Sequence, residues 1–210
     1  MSIITISRGT FSGGTSFAQD LAKKLGYRHL SREQLAEEAI KLGVPVGRLQ
    51  TAMVKPPRVS KRLGPERDHY LSCVTSILCK YALEGNLVYD GHTGHLLLPG
   101  IPHIFRVRIL ADMEYRINAV MSRLDISREK AIKYIEDVDI DRDKWVRFLY
   151  GADWHDPMHY DIVVNLSQMG VENATTALCV MAELPDFTLT PATIKALKNL
   201  YLANRARFLL

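Results

Sequence analysis

Residues 3–16 read Ile3-Ile4-Thr5-Ile6-Ser7-Arg8-Gly9-Thr10-Phe11-Ser12-Gly13-Gly14-Thr15-Ser16. A short apolar, β-branched run opens this stretch and a glycine-rich turn follows. Phe17, Leu21 and Leu25 then recur at helical spacing until Gly26 supplies a stop. The reading is strand, turn, helix. Such a turn delivers backbone N–H groups to the start of a helix, where the unpaired donors and the dipole attract anions. Gly9 to Ser16 has the Walker A spacing GxxxxG-x-[ST]. That spacing makes Gly9, Ser12, Gly13, Gly14, Thr15 and Ser16 candidate phosphate ligands, with Arg8 flanking them and Ser16 placed to reach Mg²⁺. Thr15 stands where the pattern demands Lys, the residue that normally carries positive charge to the β- and γ-phosphates.

Outward from this turn, strands and helices alternate. Ser31 with Gln34 three positions on is a capping-box pattern, announcing a helix that runs to about Gly43. From Val44 to Asp68 the periodicity fails. Pro45, Pro56, Pro57, Gly64 and Pro65 break that stretch, and Lys55, Arg58, Lys61, Arg62 and Arg67 make it basic. Tyr70, Val74, Ile77, Leu78 and Tyr81 form one face of the next helix. Leu87–Tyr89 is a short strand ending at Asp90-Gly91, and His103–Leu110 is another, followed by Asp112 as N-cap. The Asp112 helix should turn Ile117, Val120, Met121 and Leu124 inward. Ser127 starts a further helix with Ala131, Tyr134, Ile135 and Val138 on one face. Residues 161–166 form the last strand and residues 171–184 the last core helix. This alternation implies right-handed crossovers and a mainly parallel sheet covered on both faces.

The chain has 210 residues, 47% hydrophobic and 24% charged, which excludes disorder, collagen-like sequence and a disulfide scaffold. Lys and Arg number 27 against 23 acids, a formal charge of +4. That surplus suits anionic small ligands, whereas a protein coating nucleic acid is usually far more basic. Cys73, Cys79 and Cys179 form no CxxC pair and read as buried thiols. With no basic n-region before the first apolar run and no long apolar segment, the expected compartment is cytoplasmic, with no membrane partner. After Pro185 the sequence changes character. Thr190-Pro191 opens an amphipathic helix carrying Ile194, Leu197, Leu200 and Leu202, and the last residues are Phe208-Leu209-Leu210. Residues 1–185 are expected as one domain, and 186–210 as a tail helix leading toward a further module of a longer protein.

Residues 3–25, together with Asp139-x-x-Arg142 followed by Trp145, and the run Trp154-x-Asp156-Pro157-x-x-Tyr160-Asp161-Ile162-Val163-Val164-Asn165, resemble the cytidylate kinase-like family. That family is a branch of the P-loop nucleoside monophosphate kinases. The resemblance implies a three-layer α/β P-loop kinase fold: a parallel five-stranded sheet with helices on both faces and a helical lid. It also implies phosphoryl transfer from ATP to a nucleoside monophosphate, CMP or dCMP, with Mg²⁺. The site residues it implies are Arg142 and Arg147 as lid arginines and Asp90 as a ligand of Mg²⁺-bound water or of the acceptor phosphate. Ser31, Gly91, His92 and Asp139 would face the acceptor.

The departures from the family pattern also carry information. His92 follows Gly91 where relatives commonly have Arg. Ser31 replaces an Asp, and Thr15 replaces the basic residue of the loop. Removing one charged group from around a transition state typically costs on the order of 10²–10³ in rate. A nucleotide-binding regulatory module with weakened catalysis is therefore the alternative to an active kinase. A nucleic-acid binder rests only on the basic stretch from Lys55 to Arg67. The histidines His92, His95, His103, His155 and His159 are read as lying near a polar cleft mouth rather than as a zinc site.

Overall fold

The computed structural model describes residues 1–44, 64–91 and 93–210. In chain order the elements are β1 (Ile3–Arg8), α1 (Gly14–Leu25), β2 (Arg28–Ser31), α2 (Arg32–Lys41), α3 (Gly64–Leu83), β3 (Leu87–Asp90), α4 (Gly94–Leu97), β4 (Ile104–Leu110), α5 (Met113–Leu124), α6 (Arg128–Tyr150), β5 (Ile162–Asn165), α7 (Val171–Ala182) and α8 (Pro191–Leu209). The five strands are all parallel in the order β2-β3-β1-β4-β5. β1 is central, and its first five residues are buried. A strand covered on both faces has no reason to alternate, hence the unbroken apolar run.

Side chains on opposite sides of the sheet feed two cores. On one side Ile4, Ile6, Phe105 and Val107 pack with Phe17 and Leu21 of α1 and Leu178 of α7. On the other, Ile3, Leu87 and Ile104 pack with Leu35 of α2, Leu78 of α3, and Leu197 and Phe208 of α8. A third, smaller cluster of Ile117, Val120, Ala131 and Ile135 holds α5 against α6. That pair of helices is the lid. The three-layer α/β kinase architecture is thus observed, and no helix among the described residues is long and apolar enough to cross a membrane.

Most boundaries follow the local chemistry. Gly26, with φ of 66°, closes α1 in the left-handed conformation that glycine adopts without penalty. The Ser31–Gln34 capping box is formed in both directions. Asp112 and Ser127 cap α5 and α6 by accepting from Tyr115 N and Lys130 N.

Five details differ from expectation. β2 lacks an apolar run, because it is an edge strand that buries only Leu30. α3 begins at Gly64, within the stretch expected to be aperiodic, because Pro65 is tolerated in a first turn whose N–H groups need no partner. Leu124 is exposed, since α5 ends there and Asp125 takes a left-handed φ of 52°. In α8 the buried positions are Thr193, Leu197, Asn204 and Phe208, while Leu202 faces outward. Phe208, expected on an open end, is only 8% exposed because α8 lies along α3.

Candidate functional site

The loop between β1 and α1 opens at the carboxyl edge of the sheet, where ligands of parallel α/β folds bind. Gly13 takes φ of 79° as N-cap of α1, and the first turn of that helix carries no acidic residue. A side chain at 13 would also lie 2.8 Å from the Tyr115 hydroxyl. Phe11 is left-handed too, at φ of 55°, a strained geometry for a non-glycine residue. Its ring is held edge-on by Tyr134, with centroids 6.1 Å apart. The Ser12 hydroxyl donates to Gly9 O at 3.1 Å and the Ser16 hydroxyl to Gly13 O at 3.0 Å. Residues 9–16 line a cavity of about 570 Å³, at a helix start where backbone N–H groups attract anions.

The lid fastens to this loop. Asp139 on α6 accepts from Thr10 Oγ1 at 2.8 Å and from Arg116 Nη2 at 2.5 Å, while Arg116 Nε donates to Thr10 O at 2.7 Å. One carboxylate and one guanidinium thus fix the loop from both lid helices. Below the loop, Arg8 Nε donates to Asp90 Oδ1 at 2.7 Å, and Asp90 is fully buried.

A second cavity, of about 340 Å³, adjoins the first. Its walls are apolar and aromatic, with Leu35, Tyr70, Tyr89, Trp145 and Tyr150 prominent. Burial raises the Tyr70 hydroxyl to about 12 and keeps Tyr89 well above the ordinary phenol range, so both are neutral donors. Gly91 and Gly94 must be glycine here, because a Cβ at either would collide with the Tyr89 ring or hydroxyl. Tyr134, Val138 and Arg142 line both cavities. They recur at four-residue spacing and so share one face of α6. Arg142 is the charged member of that seam, and its Nη1 is buried without a hydrogen-bond partner. Burial, then the neighbouring charges of Arg8 and Arg32, push its pKa down to about 9. A buried guanidinium in that state is poised to receive an anion.

The model of the cytidylate kinase-like family matches residues 3–168. The chain belongs to the cytidylate kinase-like family. Among relatives, the cytidylate kinase of Ignicoccus hospitalis is 29% identical over 178 residues, covering 82% of this chain and 94% of its own length. The cytidylate kinase of Methanocaldococcus jannaschii is 26% identical over 172 residues, covering 81% and 91%. A solved structure of an uncharacterized Eubacterium ventriosum protein shares the fold with a TM-score of 0.67 at 22% identity, covering 86% of this chain and 98% of that one. Family membership supports nucleoside monophosphate kinase chemistry for the site just described.

Against the family's pattern, the loop residues Arg8, Gly9, Ser12, Gly13, Gly14, Thr15 and Ser16 converge on one cavity together with Arg142. Other expected site residues are placed differently. Arg147 is exposed and lines neither cavity. Five residues beyond Arg142, it is rotated about 140° around the helix and points away. Ser31 is outside both cavities with its hydroxyl committed to the cap of α2, and its neighbour Arg32 lines the aromatic cavity instead. Asp139 holds the β1–α1 loop rather than facing the aromatic cavity. Asp90 is sealed beneath Arg8. Gly91 makes room for Tyr89. His92, Lys55, Arg58, Lys61 and Arg62 lie outside the described residues. Arg67, from the same basic stretch, donates to the carbonyls of Phe148 and Leu149 at the end of α6, a C-terminal cap rather than a polymer contact.

Sequence reasoning missed Tyr115 and the aromatic wall, and left open whether one of Arg116, Arg123 and Arg128 lines the cleft. Arg123 lines the loop cavity, and Arg116 holds the loop through the Thr10 carbonyl. Arg116 carries no local signal separating it from the surface arginines of the same helix. The Trp154-to-Asn165 motif proves to be a joint. Tyr160 Oη donates to Trp154 O at 2.7 Å, Asp156 accepts from Met158 N, and Asp161 accepts from Arg106 N. Arg108, buried in β4, reaches the Trp154 carbonyl and His155 Nδ1.

Proposed function

We propose that this protein transfers the γ-phosphoryl group of ATP to a nucleoside monophosphate, with CMP or dCMP as acceptor. The observation that carries the reading is Arg142, a guanidinium with a buried and unpaired Nη1 at the junction of a phosphate-loop cavity and an aromatic cavity. Two substrates seated in those cavities would meet at this residue. Phosphoryl transfer needs charge neutralisation and in-line positioning rather than covalent help. The loop N–H groups would hold the donor phosphates, Arg142 would bridge donor and acceptor, and the aromatic wall would exclude water from the base. Mg²⁺, when bound, would neutralise the β- and γ-oxygens. No group of three or more His, Cys, Asp or Glu side chains among the described residues is placed to hold a metal. The site therefore fits an ion carried on the nucleotide, with the exposed Ser16 hydroxyl as its protein contact.

The test is ADP formation from Mg·ATP with CMP, dCMP and the other common monophosphates. Turnover with CMP or dCMP is expected, and Ser16→Ala should lower kcat by about 10²-fold. The second reading, a nucleotide-binding regulatory module, is favoured by Thr15. It takes the place of the first if ATP binds by calorimetry while no monophosphate is phosphorylated.

A further inference from the structure

We propose that Arg8 supplies the phosphate-neutralising cation that Thr15, at the lysine position of the loop, cannot. The inference rests on the loop holding a nucleoside triphosphate, and it names the cation that the site uses. The described cations lining the loop cavity are Arg8, Arg123 and Arg142. Arg123 lies over the Phe11 ring at 6.0 Å, toward the outer wall, and Arg142 belongs to the junction with the aromatic cavity. Of these three, Arg8 is the one built into the floor of the loop.

Its side chain lies across Gly14. A Cβ on Gly14 would come within 2.6 Å of Arg8 Cβ and 2.8 Å of its Cδ, so this glycine is required by Arg8. The contact keeps the arginine beside Gly14, the first residue of α1, where the unpaired N–H groups of a helix start lie. Only one edge of the guanidinium is engaged. Nε donates to Asp90 Oδ1, and the two terminal nitrogens have no partner among the described residues. Asp90 is paired in register with Ile6 on the central strand and is fully buried, so its grip on Nε is rigid. Arginine can serve two anions at once because its five donors are spread over three nitrogens, whereas a lysine ammonium is a single point. The fork that remains on Arg8 matches the oxygens of a phosphate.

The test uses the full chain with Arg8→Gln, Thr15→Lys and the double variant, measuring ATP affinity by calorimetry with and without Mg²⁺. Glutamine keeps an amide for Asp90 but removes the charge. Arg8→Gln is expected to weaken ATP binding by about tenfold or more, with circular dichroism unchanged at room temperature although the melting temperature falls, since the buried Asp90 loses its charged partner. The double variant should regain affinity to within about threefold of wild type. A folded Arg8→Gln protein with wild-type affinity overturns the inference, as does a double variant no better than Arg8→Gln. If Arg8→Gln does not fold, Thr15→Lys decides. With Arg8 already serving the phosphates, the added lysine should change affinity by less than about threefold, and a tightening of about tenfold or more overturns the inference. A wild type that binds no nucleotide overturns the nucleotide-site reading and this inference together. Failure of the variants alone overturns only the role of Arg8.

Discussion

Arg142 shows what a single residue contributes through its placement. Its guanidinium is desolvated, is paired with no carboxylate among the described residues, and carries a pKa lowered to about 9 by burial. Below that pH the buried charge opposes folding, and the cost is relieved as pH rises from about 9 toward the unfolded value. A bound anion relieves the same cost at neutral pH. Arg142→Met should therefore raise the stability of the ligand-free protein by about 1–2 kcal/mol while lowering turnover on the order of 10²-fold. Thermal melting with and without ATP, beside steady-state kinetics, checks the opposed signs. Loss of stability in the ligand-free variant would mean that Arg142 holds the lid together instead.

At the scale of elements, helix caps account for much of what local sequence could say. Ser31, Asp112, Ser127 and Thr190 each accept from the backbone N–H three residues on. Ser31 separates two roles that the sequence alone could not separate, substrate contact and cap. If it acts as a cap, Ser31→Ala costs about 1 kcal/mol of stability with kcat and KM for the acceptor unchanged, and Ser31→Asp restores the loss. Denaturant unfolding and kinetics on the two variants decide it, since a rise in KM of about tenfold would return Ser31 to the substrate. α6 illustrates the limit of periodicity. Its face from Ala131 to Val138 was legible, yet one helix serves three tasks along its length. Ala131 and Ile135 close the lid core, Asp139 grips the β1–α1 loop, and Arg142, Trp145, Val146 and Leu149 wall the aromatic cavity. No local rule assigns tasks to successive turns.

On the scale of the whole molecule, α8 shares a core with the sheet. Leu197 is fully buried in the cluster that contains Ile3, Leu78 and Leu87. We propose on this ground that residues 186–210 stabilise the domain, whether or not they also lead to a further module. Leu197→Ala should cost about 2–5 kcal/mol. Urea unfolding should remain one transition by fluorescence and circular dichroism, because α8 and the sheet are held by the same apolar cluster. An early separate transition would instead mark the tail as an independent unit.

The sequence by itself determined four of the five strands, the glycine-rich loop and the parallel sheet. Those features rest on neighbours close along the chain: an apolar strand, glycines able to turn, caps three residues apart. The family likeness was legible for the same reason, because its motifs are contiguous. Only the tertiary structure decided which polar groups line the cavities. Arg142 and Arg147 look alike in sequence, and helical rotation sends one into the cleft and the other into solvent. Asp90 and Arg8 are 82 residues apart, and Asp139 and Thr10 are 129 apart. Which carboxylate meets which guanidinium depends on sheet register and helix packing, which no spacing along the chain records.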